Sequence, residues 1–143
     1  MRSFLWVLAA GVLCAAPALA QPAPEGAITT RPAGPGPTLN NCAAVYGALA
    51  RQQATFGRTG SLFGQRYGNF DQIDFDARLN ELSRKTEKGV TELKTLGESF
   101  PTDYYHALVD AETQGDIDTP AVNELAQVTV ECDAEYDFGP PLG

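Results

Sequence analysis

The stretch "LNNCAAVYGALARQQA", residues 39–54, has the spacing of an amphipathic helix. Its larger apolar residues recur at intervals of three and four and therefore share one face: Cys42, Val45, Tyr46 and Leu49. We predict a helix over residues 39–54 that buries this face in a core. Because a cysteine lies on the buried face, a disulfide from it would fix which part of the chain packs against this helix.

Three further helices follow from the same periodicity. One covers residues 71–96, where Gly89 interrupts a long apolar stripe. The next begins at Thr102 as its N-cap, and the last begins after Thr119, which precedes a proline suited to a first helical position. No segment shows the convincing alternation of a half-buried strand. Four amphipathic helices with short connections favour an all-α fold, a small antiparallel four-helix bundle over residues 39–138.

Residues 1–20 have the features of a secretory signal peptide. Arg2 supplies a positive start, an apolar run follows it, and residues 18–20, Ala-Leu-Ala, match a cleavage site. The apolar run is too short for a permanent membrane anchor, so we expect no transmembrane anchor after the signal peptide is removed. We therefore predict a periplasmic or secreted protein.

Proline and glycine dominate two segments that flank the predicted helices. Residues 21–38 lack apolar periodicity, which is typical of a disordered Pro/Gly-rich spacer. Residues 139–143, "GPPLG", have a similar composition and are predicted to form a flexible tail. The helical segment between them has the length of a single domain with one core.

Two cysteines remain after the signal peptide is removed, Cys42 and Cys132. In an oxidising compartment such a pair favours one disulfide over two buried free thiols. Cys42 lies near the start of the first predicted helix, and Cys132 lies near the end of the last. Because these two points are adjacent in an antiparallel bundle, the bundle and the disulfide support each other.

Charge is distributed unevenly along this acidic chain, whose formal net charge is −8. From residue 95 to residue 143 there are eleven acidic residues and no Lys or Arg. A surface of one sign either keeps a protein solvated or attracts a basic protein or divalent cations. It excludes nucleic acid as a partner, because phosphate binding needs a basic surface.

The acidic segment "DAETQGDIDTPA", residues 110–121, resembles an EF-hand calcium loop in part. Gly115 takes the sharp-turn position, but the last position, where a bidentate Glu belongs, is Ala121. Two interpretations follow: a weak divalent-cation site, or a turn in which Gly115 ends a helix. The candidate calcium ligands all carry carboxylates: Asp110, Glu112, Asp116 and Asp118.

The segment "FGRTGSLFGQRYGNF", residues 56–70, interleaves glycines, aromatic rings and arginines. This composition suits a surface for a peptide or a glycan, and it lacks the lysine of a phosphate-binding loop. The alternative is a connector whose rings cover one end of the core. The candidate surface residues are Arg58, Phe63, Arg66, Tyr67 and Phe70.

Few residues of the chain are suited to catalysis. His106 is the only imidazole, and Asp110, one helical turn away, is its candidate partner. The chain has neither a CxxCH haem motif nor the His and Cys clusters of zinc or copper sites, so we expect no cofactor other than calcium. A hydrolase that uses two carboxylates stays open, although no pair is singled out.

We therefore predict an exported, non-enzymatic interaction or accessory module of the cell envelope. It would bind an unidentified protein partner, for example a basic one, through its acidic helical face or through residues 56–70, called the glycine-aromatic connector below. The alternative is a weak calcium-binding protein that uses the loop at residues 110–121.

Overall fold

A computed structural model describes residues 37–98 and 102–143, and every regular element in these ranges is helical. The all-α class predicted from the sequence is confirmed. The predicted signal peptide, and all but the last two residues of the predicted spacer, lie outside the described residues. The elements are α1 Leu39–Phe56, α2 Leu62–Arg66, a 3-10 turn at Phe70–Gln72, α3 Phe75–Thr86, α4 Val90–Glu98, α5 Tyr104–Gln114 and α6 Pro120–Glu135.

Side-chain caps fix where several helices begin. The hydroxyl of Thr119 accepts a hydrogen bond from the backbone N–H of Val122, and Pro120 follows at the first helical position, as predicted. Helix α5 is capped by Asp103 instead of the predicted Thr102, since the Asp103 carboxylate accepts from the N–H of His106 at 3.1 Å. A carboxylate is favoured there because it also meets the positive end of the helix dipole.

The single helix predicted over residues 71–96 is wrong, because the chain forms two helices there, α3 and α4. The backbone turns at Glu87, which has a left-handed conformation with φ of 56°, and its N–H bonds to the carbonyl of Ser83. The apolar spacing of Leu82, Val90 and Leu93 continues in step across this break. Periodicity alone therefore does not reveal the turn.

Helix α1 lies at the centre of the fold. It contacts α3, α4, α5 and α6, whereas α3 also contacts α4 and α5 also contacts α6. Val45, Tyr46 and Leu49 are fully buried on it, as the spacing within residues 39–54 predicts. The predicted four-helix bundle is not confirmed, since one helix is surrounded by four others instead of four equivalent helices sharing a core.

The approach of α4 to α1 depends on a glycine. A Cβ atom added at Gly97 would lie 3.0 Å from backbone atoms of both Ala43 and Ala44. Backbone atoms cannot move aside as a flexible side chain would, so a larger residue would force the two helices apart.

We expect Gly97→Ala to destabilise the protein by about 1–3 kcal/mol through this overpacking. The matched control is Gly47→Ala, also within a helix, where an added Cβ meets nothing within 4 Å. It should stabilise the protein by up to about 1 kcal/mol through helix propensity alone. Urea unfolding measures both variants, and an equal stabilisation of the two would contradict the close approach.

The sulfur atoms of Cys42 and Cys132 lie 2.03 Å apart, the distance of a disulfide bond. The pair joins the first turn of α1 to the last turns of α6, and both residues are fully buried. A crosslink between distant parts of the chain restricts the unfolded state and so stabilises the folded one. It also fixes the position of the next residue, Asp133.

Asp133 is the centre of a buried polar cluster. Its carboxylate accepts hydrogen bonds from the Tyr46 hydroxyl at 2.8 Å, from the Leu142 N–H at 3.1 Å and from the Arg78 guanidinium. Arg78 also donates to the carbonyl of Pro140. Burial, followed by the nearby charge of Asp133, raises the pKa of Tyr46 well above its usual range, so Tyr46 stays a hydrogen-bond donor.

The C-terminal segment, predicted as a flexible tail over residues 139–143, is held against this cluster. Leu142 is 3% exposed, and the Gly143 N–H donates to the Asn69 side chain at 2.9 Å. The tail is fixed because its backbone supplies partners that the buried Arg78 and Asp133 charges would otherwise lack.

Replacing Asp133 with Asn should destabilise the protein by about 3–5 kcal/mol, because it leaves the Arg78 guanidinium buried without a counter-charge. Glu135→Gln changes the charge equally at an exposed position two residues along, and should shift stability by less than about 0.5 kcal/mol. Denaturant unfolding compares them. Similar small effects in both variants would show that the cluster contributes little.

Candidate functional site

The four candidate calcium ligands lie at the end of α5 and in the turn that leads to α6; residues 110–118 are called the acidic loop below. Gly115 is the residue after α5, with a left-handed φ of 74°, and its N–H bonds to the carbonyl of Ala111 at 2.9 Å. This confirms the interpretation in which Gly115 ends a helix.

Glu112 is turned towards the glycine-aromatic connector. Its carboxylate accepts from the backbone N–H groups of Leu62 at 2.8 Å and Phe63 at 3.0 Å, and from the Gln52 side-chain amide at 2.9 Å. Leu62 and Phe63 open α2, where unpaired N–H groups favour an anion. Glu112 therefore anchors α2, and its charge has a structural use.

A second contact joins the same two segments. The Arg66 guanidinium forms an ion pair with Asp118 at 3.0 Å, and both side chains are exposed. The connector thus holds the acidic loop from two sides, at Glu112 and at Asp118. The sequence singled out both segments, but it did not predict that they lie together.

The structure provides no assembled metal site in residues 37–98 or 102–143, where no three His, Cys, Asp or Glu side chains converge to hold an ion. Glu112 is occupied by α2, and Asp118 faces Arg66. Asp110 and Asp116 are exposed at the loop. Calcium needs six to eight oxygens around one point, so the calcium hypothesis gains no support from this arrangement.

The aromatic rings of the connector are mostly core material. Phe63 and Phe70 are fully buried, with ring centroids 5.1 Å apart, and Tyr67 is half-buried with a centroid 4.6 Å from that of Phe63. Burial raises the pKa of Tyr67. The hypothesis of an exposed aromatic surface therefore needs correction, because the two phenylalanines face the core. The arginines of the connector are exposed, and Arg58 forms an ion pair with Asp74 at 2.5 Å.

His106 contacts a different carboxylate from the one that its spacing suggested. Its ring Nδ1 is hydrogen-bonded to Asp103, not to Asp110. This bond, together with the one from the His106 backbone N–H, lowers the pKa of Asp103. The pKa of Asp74 is also lowered, mainly by the hydrogen bond from the Ala77 backbone N–H and next by the hydrogen bond from the Arg58 guanidinium. Both carboxylates are helix caps, so their charge has a structural explanation.

The sequence interpretation missed the buried pair of Arg78 and Asp133. A signal was present, because Asp133 follows Thr129 by four residues and Leu125 by eight, which places it on the buried face of α6. Likewise, Arg78 lies four residues before Leu82 on the apolar stripe of α3. A charged residue in register with a buried stripe indicates an internal ion pair.

Several carboxylates on α5, α6 and their flanks have no ion-pair partner among the described residues: Asp110, Asp116, Glu135 and Asp137. All four are exposed. Glu135 lies at the C-terminal end of α6, where the helix dipole is negative and the last turn holds no basic residue. These charges are therefore not neutralised within the described fold.

Comparison with models of known protein families, with curated proteins and with solved structures finds no match to the chain. Within the described ranges, none of the helices combines the length and the apolar character that a bilayer crossing requires.

We expect Glu112→Gln to destabilise the protein by about 1–2 kcal/mol, because the backbone N–H groups of Leu62 and Phe63 lose a charged acceptor. Hydrogen exchange of those two amides should accelerate, which locates the effect. The control is Asp110→Asn, an exposed change on the same helix that should leave both readings unaltered. Unchanged exchange at Leu62 and Phe63 in Glu112→Gln would contradict the anchoring role.

Stability should also fall in acid because of Asp74 and Asp103. A carboxylate whose pKa is lowered by folding contributes stability above its unfolded pKa, about 4, and loses it as pH falls through the folded pKa. We expect the double variant Asp74→Asn, Asp103→Asn to have a weaker pH dependence between pH 5 and pH 2 (approximate limits). Urea unfolding across this range measures it, and parallel pH profiles for the two proteins would refute the assignment.

Proposed function

We propose that this protein is an exported, non-enzymatic interaction module that binds a basic protein partner through the acidic face of α5 and α6. One observation carries the proposal: residues 95–143 hold eleven acidic residues and no Lys or Arg, and four of these acids, on α5, α6 and their flanks, are exposed without an ion-pair partner in the described residues. Asp110 and Asp116 mark the acidic loop, and Glu135 and Asp137 mark the far end of α6.

The described fold does not account for these charges. Asp133 and Glu112 have structural partners, whereas Glu135 has no ion-pair partner in the described residues and opposes the dipole of its own helix. A cationic partner would relieve this unfavourable interaction. A field of one sign would also accelerate the approach of such a partner.

The contacts that hold the acidic loop against the glycine-aromatic connector support a binding role. Glu112 and Arg66 limit the freedom of the loop, so less conformational entropy is lost when its carboxylates engage a partner. The connector itself is the weaker candidate for a binding surface, because Phe63 and Phe70 are buried. Export agrees with the predicted signal peptide and with the disulfide distance between Cys42 and Cys132.

Calorimetric titration with a decalysine peptide tests the proposal. We expect binding that weakens strongly between about 0.05 M and about 0.5 M salt, because exposed charges are screened. The triple variant Asp110→Asn, Asp116→Asn, Asp137→Asn, which removes only unpaired carboxylates, should weaken binding roughly tenfold at low salt.

The matched control carries the same change in net charge on the other half of the molecule, also at exposed acids without ion pairs in the described residues: Asp71→Asn, Asp76→Asn, Glu87→Gln. It should weaken binding much less than the first variant. Equal weakening by the two variants would show that only net charge matters and that no acidic face exists. Binding that is insensitive to salt would also overturn the proposal.

A further inference from the structure

The disulfide between Cys42 and Cys132 is closed off from solvent. Both cysteines are 0% exposed, and Val128 and Thr129, which precede Cys132 by one turn of α6, are buried as well. A disulfide is formed or opened by a thiolate that must reach a sulfur atom, so the rate of exchange depends on access. In the described structure an external thiolate therefore has no direct approach to either sulfur.

Polar contacts beside the disulfide hold this region closed. Asp133 adjoins Cys132, and its carboxylate binds the hydroxyl of Tyr46, one helical turn after Cys42 on α1. Asp133 also forms the buried ion pair with Arg78. Opening the fold around the sulfurs would separate these partners, and a buried charge without its partner is strongly destabilising. Access to the disulfide is thus linked to the stability of the core.

The sequence allows the disulfide to form correctly in an unfolded chain. The chain has three cysteines, and Cys14 lies in the predicted signal peptide. Once this peptide is removed, only Cys42 and Cys132 remain, so one unfolded chain can form only one intramolecular disulfide. The two cysteines lie 90 residues apart in sequence, so the crosslink restricts the unfolded chain strongly. Oxidation before folding therefore carries no risk of a wrong pairing and favours the fold.

We infer that this disulfide forms before the fold closes, by exchange with an external disulfide, and that the closed fold then protects it from thiols. The thiolate of one cysteine attacks a sulfur of the external disulfide, forms a mixed disulfide and releases the other sulfur as a thiolate. The thiolate of the second cysteine then attacks the protein sulfur of the mixed disulfide and releases the second external thiolate. The two cysteines lose two electrons and two protons, and the external disulfide becomes two thiols.

Reduction of the folded protein then requires unfolding. If thiols react only with the unfolded chain, a change that raises the population of unfolded chains raises the reduction rate by the same factor. The protein keeps its crosslink in a medium that contains thiols for as long as it stays folded. None of these steps involves the acidic face or its partner.

Reduction of the disulfide-bonded protein by dithiothreitol tests the protected state, with free Cys42 and Cys132 counted by alkylation and mass spectrometry. Below the midpoint of unfolding, we expect the logarithm of the reduction rate to rise with urea concentration as steeply as the free energy of unfolding falls. A reduction rate that does not change with urea in this range would show direct attack on the folded protein, and would overturn the inference.

A pair of variants on α5 provides a second measurement. Leu108→Ala removes a fully buried side chain and should accelerate reduction about thirtyfold or more at low thiol concentration. Asp110→Asn, an exposed change on the same helix, should leave the rate unaltered. Equal reduction rates in Leu108→Ala and the unsubstituted protein, when urea unfolding shows that the variant is less stable, would contradict protection by the fold.

Oxidation of the reduced protein by oxidised glutathione tests the order of events. We expect the chain in high urea to be oxidised at least about tenfold faster than the same chain after it has refolded, once the effect of urea on a model thiol is subtracted. A reduced chain that stays unfolded until it is oxidised would also show the expected order. Equal oxidation rates in the folded and the unfolded chain would overturn it.

Discussion

The buried contact between Arg78 and Asp133 is the constraint on which the rest of the structure depends. Two charges removed from water must find each other and must have their remaining hydrogen-bonding groups satisfied. Tyr46 from α1 and the backbone of the C-terminal segment supply these remaining hydrogen-bond partners. Because Asp133 adjoins Cys132, the charge pair and the disulfide together set how α6 lies against α1. The tail is therefore part of the core.

The fixed position of α6 against α1 also explains why the connector and the acidic loop, which are distant in sequence, meet at the surface. With α6 held against α1 and α5 packed on both, the turn between α5 and α6 lies beside the connector. Glu112 then reaches the first N–H groups of α2, and Asp118 reaches Arg66. Asp110 and Asp116 of the same loop are exposed and form no ion pair within the described residues.

Local sequence rules predicted the helical class, the face of α1 and the cap at Thr119, because each depends on neighbouring residues only. They did not predict the turn at Glu87, where the apolar spacing stays in step across the break. They also left open whether Phe63 and Phe70 form a surface or cover the core, since nothing local distinguishes a ring that covers the core from one that faces solvent.

Chemical-shift mapping by NMR would show which residues of the protein contact a cationic partner. We expect decalysine, added to the isotopically labelled protein, to shift amide signals of the acidic loop and of the C-terminal end of α6, while signals of α3 and α4 stay in place. Shifts spread evenly over all exposed acids, or centred on Glu81 and Glu92, would contradict the proposed acidic face.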